Sequence, residues 1–404
     1  MRKGSADGSR LFGDFFESER NSALVLLSCV LFALVLANSS LGLRIFSLLH
    51  QDAGLSFGFI NIDFSIEKWI NDGLMTVFFL LVGLEIEREL YVGELSNIRA
   101  AALPIVSAIG GMLVPASIYM VFNLGTPSQN GIGIPMATDI AFALGAISLL
   151  GNRISLNLKI FLTAFAIIDD IGSIIFLAFF YSHSITLGYV VISLSVIALL
   201  VVLNRTRVKS LIVYLGLGVV LWYCLAKAGI HPTMTGIIIA FAIPYSKASY
   251  NPSFKLQNSL NVPVAFLILP IFAFANTGIV LDAGVLRNLS SPYAAGILFG
   301  LVVGKPLGIF LFTLLGVKLL GLRLPAKASW GQIFGIGCLG GIGFTMSIFM
   351  TNLAFSDVEI VKNAKIYILF ASVISGLIGY AILRGGSAKS RMDGESKEDV
   401  VEAV

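Results

Sequence analysis

The chain has 404 residues, of which 57% are hydrophobic and only 12% charged, with a formal net charge of +4. Soluble domains are roughly one-quarter charged, so this composition excludes an ordinary soluble enzyme or nucleic-acid-binding domain and defines a polytopic membrane protein. No apolar stretch with a small-residue cleavage site opens the chain, so no cleaved signal peptide is expected.

In chain order, a Ser-, Gly- and charge-rich tail, 1–18, is expected to be disordered. A single membrane domain, 19–385, follows, and a second polar tail, 386–404, is expected to be disordered as well. Windows of about 20 apolar residues give twelve spans. The first six are 19–38, 66–85, 100–122, 131–150, 157–181 and 186–203. The other six are 210–227, 230–245, 262–280, 294–316, 332–354 and 363–384. Lys and Arg number 20 on the side of the N-terminus and 6 on the other, with Lys305 inside a span. That asymmetry predicts both termini in the cytoplasm. Cys29, Cys224 and Cys338 are scattered through apolar segments, which reads as packing rather than a metal site.

Between spans one and two, the stretch 53–66, AGLSFGFINIDFSI, alternates apolar and polar residues on either side of Asn61. It reads as a small amphipathic hairpin on the extracytoplasmic side, or a loop lying on the membrane surface. Asp72, in WINDGLM near the outer end of span two, is expected to cap it. At the other end lie Glu85, Glu87, Arg88, Glu89 and Glu94, either as headgroup-level anchors or as a cation-attracting funnel. His231 opens span eight and reads as structural.

The informative residues are polar groups at membrane depth. In AFAIIDDIGSIIF, residues 164–176, Asp169 and Asp170 sit in the middle of span five. Each ionised carboxylate at mid-bilayer costs roughly 2.5 to 3.5 kcal/mol on insertion scales. Neighbours on a helix point about 100° apart, so both can border one cavity without facing each other squarely. Lys305, in GLVVGKPLGIF, lies about ten residues, or roughly 15 Å, from either end of span ten, too far for its stem to reach the surface. An ion pair with one of the two aspartates is the cheapest arrangement for both charges.

Spans four and eleven are interrupted. Pro135 and then Thr138–Asp139 mark a helix stop and a new N-cap. Gly340, Gly341 and Gly343 before Thr345 mark another weak point. Non-helical chain at bilayer depth is tolerated only where it lines a cavity or is buried in protein. Asp139 can then compensate the positive helix ends at the breaks and Lys305 the negative ones. Spans three to five and ten to twelve are thus triplets with a broken middle member, and they enter the membrane from opposite sides. That predicts an inverted-topology repeat around a midplane site, as in secondary transporters. No nucleotide-binding motif is present, so an ion gradient is the expected driving force.

The segments FFLLVGLEIERELYVGEL, SAIGGMLVPA, PMATDIAFALG, AFAIIDDIGSI, LILPIFAFANTG, VVGKPLGI and GIGFTMSIF resemble the NhaA family of Na+/H+ antiporters over nearly the whole chain. Inverted repeats are an established feature of that family, so the repeat and the resemblance are not independent. The resemblance implies a transporter and not an enzyme, without cofactor, exchanging cytoplasmic Na+ or Li+ for external protons electrogenically by alternating access. It implies Asp170 and Asp169 as ion and proton carriers and thus the ligands of the transported Na+. Lys305 is then the partner of Asp169, Thr138 and Asp139 belong to the broken helices, and Glu85 and Glu89 influence the response to pH. It also implies a bacterial inner membrane and a homodimer, here through 53–66.

The chemistry agrees, since a hard cation wants the oxygens that two carboxylates, Thr138 and freed carbonyls supply. Protons and Na+ then compete for the same atoms. An intramembrane aspartyl protease would need its two aspartates on separate helices. A K+/H+ exchanger or a Na+-coupled solute transporter is the alternative, although an anionic substrate would want a mid-span Arg, and none is present. One departure stands out: Gln257, Asn258 and Asn261 occupy positions where some relatives carry acidic and histidine residues implicated in pH sensing.

Overall fold

The computed structural model describes residues 4–57, 60–181, 186–246, 251–281, 288–326 and 328–402. It is helical apart from one small hairpin. Helices α1 (Gly4–Ala37) and α2 (Gly42–Leu49) precede strands β1 (Leu55–Phe57) and β2 (Ile60–Ile62). Then come α3 (Ile66–Tyr91), α4 (Ile98–Asn123), α5 (Ile140–Ser148), α6 (Leu156–Phe180), α7 (Leu187–Arg205) and α8 (Leu211–Ala228). The last elements are α9 (Met234–Ala242), α10 (Pro252–Thr277), α11 (Pro292–Leu319), α12 (Trp330–Gly340), α13 (Phe344–Ala354) and α14 (Val358–Glu402).

Among the described residues ten helical segments are long and apolar enough to cross a membrane. The pair α12 and α13, bent by 44° at its break, makes an eleventh. The eighth predicted span, 230–245, differs from expectation. Its helix, α9, has only nine residues, about 14 Å of rise against a hydrocarbon core of about 30 Å. His231–Pro232 precede it and Ile243–Pro244 end it, and a residue before proline is pushed out of the helical region. The second span runs past its predicted end at 85 to Tyr91 because Ile86 and Leu90 continue the apolar pattern. The described backbone at 4–18 and 386–402 is helical and continuous with α1 and α14. A helix already formed in the membrane needs no new nucleus to extend.

The hairpin is present as backbone. β1 pairs antiparallel with β2, Leu55 opposite Ile62 and Phe57 opposite Ile60, with a further bridge from Asp52 to Ser65. Its tip, residues 58–59, lies outside the described residues. Ser65 caps α3 by accepting from Lys68 N at 3.2 Å. Asp72, expected to be that cap, instead sits in a π-helical turn, Trp69–Leu74, because α3 starts six residues before it.

The chain divides into two compact units. One comprises residues 1–24, 98–170 and 283–404, and the other 25–97 and 171–282. The core of the first is built from Leu144, Leu158, Phe165, Ile309, Ile336 and Leu339. Between α4 and α11 the backbones come so close that a Cβ at Gly308 would lie 2.1 Å from Gly110 O, so glycine is obligatory there. The core of the second gathers Leu84, Tyr214, Leu221, Leu225 and Ile239 around α9, where Gly236 packs against the α3 backbone in the same way.

Candidate functional site

The charged centre lies wholly in the first unit. α6 is an apolar helix with Asp169 and Asp170 at its middle, 0% and 2% exposed. α11 brings Lys305, also 0% exposed, to the same place. Its helix passes through a π-helical turn, Gly300–Gly304, immediately before the lysine. Pro306 cannot donate a backbone hydrogen bond, and the wider turn accommodates the missing donor without breaking the helix. Lys305 Nζ donates to Asp169 Oδ2 at 2.7 Å and also to the carbonyl of Met136. Asp170 lies within electrostatic range of the same ammonium, and Thr138 lies beside Asp169.

Two interrupted segments meet beside this pair. Residues 137–139 separate a 3-10 stretch, Gln129–Met136, from α5, and residues 341–343 separate α12 from α13. Asp139 N donates to Ile342 O at 2.6 Å, and Thr138 Oγ1 to Gly340 O at 2.8 Å, so the first break supplies donors to the freed carbonyls of the second. Ser347 Oγ adds a bond to Ile134 O at 2.7 Å. A Cβ at Gly343 would lie 2.2 Å from Ser347 Oγ, which would have to move, and a tight 3.1 Å from Ala137 O.

Asp139 serves two helices. Its Oδ1 accepts from Phe142 N at 3.1 Å, capping α5. Its Oδ2 accepts from Thr345 N at 2.9 Å, and from the Thr345 hydroxyl, at the first turn of α13. One carboxylate therefore meets two positive helix ends, while Lys305 meets the negative end of the 3-10 stretch. The arrangement can hold a small cation against carboxylate and carbonyl oxygens, or hold protons on the carboxylates.

Thr345 is the donor that the sequence reading left without a role. The signal was present: the first break has its own acidic cap, the second has none, so the N–H groups of α13 must find an anion elsewhere.

The other sequence-named residues fall in the second unit. Glu89 Oε1 accepts from Arg88 Nη2 and its Oε2 from Glu94 N, both at 3.0 Å, which ties it into the end of α3. Glu85 is half-buried. His231 Nε2 lies 3.5 Å from Asp72 Oδ1, and its Nδ1 meets Thr233 Oγ1 at 2.7 Å. Gln257 is buried on α10. Glu87, named in the sequence only as part of the charged cluster, is 4% exposed and accepts from the Ser253 hydroxyl of α10.

These features define a multi-span helical membrane protein with an acid–base centre buried among interrupted helices. The sequence matches the profile of the family described as Na+/H+ antiporter 1 over residues 13–383. It is 52% identical to the Na+/H+ antiporter NhaA of Flavobacterium psychrophilum, over 93% of this chain and 96% of that one. It is 48% identical to NhaA of Cytophaga hutchinsonii over 97% and 99% of the two chains, and 46% identical to NhaA of Escherichia coli over 92% and 97%. The chain belongs to this family of Na+/H+ antiporters, and is a transporter rather than an enzyme.

Proposed function

We propose that the chain exchanges cytoplasmic Na+ or Li+ for external protons by alternating access, electrogenically, at a site built on Asp169 and Asp170. The observation that carries this reading is the Lys305–Asp169 pair at 2.7 Å, with both side chains 0% exposed, beside two interrupted helices. A buried charge persists only where it is paired or used, and Asp170 adds a second carboxylate to one ammonium. Na+ and protons compete for the two carboxylates, so loading one from one side discharges the other. Thr138 and freed carbonyls complete the oxygen set, and Asp139 keeps the half-helices in place.

Counting the short α9 as a crossing beside the ten long helices and the bent pair gives twelve. On that count α4–α6 and α11–α14 form an inverted repeat with both termini in the cytoplasm, in a bacterial inner membrane, which the Lys and Arg distribution favours. The family of Na+/H+ antiporters to which the chain belongs supports the choice of ions.

Reconstituted protein with an imposed pH gradient provides the test. Adding Na+ or Li+ should dequench a pH-sensitive dye and K+ should not. Asp169→Asn and Asp170→Asn should each abolish the response while remaining folded and inserted. A wild-type response from Asp170→Asn overturns the site, and a response to K+ alone overturns the ion.

A further inference from the structure

Among the buried hydroxyls that make no hydrogen bond to a described residue, Ser173 alone lies within four residues of an acid. It is 1% exposed and follows Asp169 by four residues and Asp170 by three along the single helix α6. At about 100° per residue it is turned roughly 40° from Asp169 and 60° from Asp170, so it stands between them on the helix face. Helical side chains tilt towards the N-terminus, which leans the Ser173 hydroxyl back over the turn that carries both carboxylates. Ile175 and Phe179, on the far side of the helix, are exposed, so Ser173 is turned away from the lipid.

A hydroxyl inside a helix commonly donates to the carbonyl four residues back. Thr163 does so on α6 itself, to Lys159 O at 3.1 Å. Ser107 on α4 and Thr313 on α11 do the same, at 2.7 and 2.6 Å. Ser173 does not, although the Asp169 carbonyl stands at that spacing. Lys305 meanwhile takes Oδ2 of Asp169 and leaves Oδ1 without a hydrogen bond among the described residues. Buried polar atoms without partners are costly, and they persist where a ligand supplies the missing contact.

We propose that Ser173 Oγ is a ligand of the transported cation, one turn from the aspartate pair, and favours Na+ over Li+. Cβ atoms at this spacing are about 5–6 Å apart, a gap that one cation bridges with an oxygen on either side. A hard cation takes a neutral oxygen as it takes a carboxylate. The hydroxyl adds a contact without adding charge, so the charge of the loaded site is still set by the two carboxylates. With a lone pair on the cation its hydrogen remains able to donate, and the Asp169 carbonyl is there to accept. Ligand number and cavity size separate cations of one charge. Na+, the larger ion, has room for the extra oxygen, whereas Li+ is enclosed by fewer. Resting on the antiport reading, this makes Ser173 a specificity-determining residue of that site.

Ser173→Ala removes the oxygen and Ser173→Thr keeps it. Dye-reported exchange in proteoliposomes at one alkaline pH, where protons compete least, gives the half-saturating concentrations of Na+ and Li+. Ser173→Ala should need about tenfold more Na+, with Li+ shifted distinctly less and the saturated rate retained. Ser173→Thr should stay near the wild type for both ions. Melting in detergent supplies the structural control. Without cation Ser173→Ala should melt no lower than the wild type, since it loses a hydroxyl that has no partner, but added Na+ should raise its melting temperature less. An unchanged Na+ constant in Ser173→Ala overturns the proposal, and so does an equal weakening for both ions. A Ser173→Ala protein that melts lower without cation, yet gains as much from Na+ as the wild type, also overturns it. A wild type with no Na+-driven proton movement defeats the antiport reading and this ligand with it. A wild type that transports beside an unaffected Ser173→Ala defeats the ligand alone.

Discussion

Lys305 owes its charge to the company it keeps. With the side chain 0% exposed and Asp169 Oδ2 at 2.7 Å, removing the ammonium leaves a buried carboxylate without its counter-ion. Breaking such a pair costs about 3 to 5 kcal/mol, whereas removing both charges together costs far less. Lys305→Ala is therefore expected to lower the melting temperature in detergent by several degrees. The double change Lys305→Gln with Asp169→Asn should recover most of the loss. Strict additivity of the two single effects would mean that the pair contributes nothing as a pair. This contact was legible in the sequence because Lys305 and two adjacent aspartates lay too deep to reach water. The bond from Lys305 to the Met136 carbonyl was legible only as a need, since a freed carbonyl at a helix end has no side-chain signature.

At the scale of elements, the interrupted segments were visible from Pro135, Thr138–Asp139 and the glycines before Thr345. What the sequence could not give was that one acid serves both. Asp139 binds Phe142 N and Thr345 N from partners 206 residues apart in the second case. Spacing along the chain carries no information about such a pairing. An N-cap is worth roughly 0.5 to 2 kcal/mol, so Asp139→Ala should destabilise by about twice a single cap. Thr345→Val should lose less, because its N–H remains, and combined with Asp139→Ala it should add little further. Thermal unfolding of the three variants measures this, and independent additive losses would show that the carboxylate does not join the two helices. The shortness of α9 was missed for a related reason. Hydropathy counts Ile243 and Pro244 as apolar, while backbone geometry counts them as an end.

For the whole molecule, the alternation in 53–66 pointed to a hairpin, and its backbone pairing, Leu55 with Ile62, follows that register. Alternation cannot say what a hairpin touches. The expected partner is the hairpin of a second copy. Deleting residues 54–63 should then give monomers on size-exclusion chromatography with transport largely retained, and a dimer that survives the deletion assigns the contact to another surface. Twelve spans were read from hydropathy; among the described residues ten helical segments are long and apolar enough to cross a membrane, and the bent pair makes an eleventh.

The interrupted helices also have an electrical meaning. Two positive helix ends, each about half an elementary charge, face the carboxylate of Asp139, and a negative end faces the ammonium of Lys305. The half-charges of the two positive ends sum to about the one negative charge of Asp139, which leaves Lys305 as the counter-ion of Asp169. On the proposed antiport, an aspartate pair carrying one Na+ differs by one charge from the same pair carrying a proton on each carboxylate, and a membrane voltage would then do work on one leg of the cycle, about 2.3 kcal/mol per 100 mV for a full crossing.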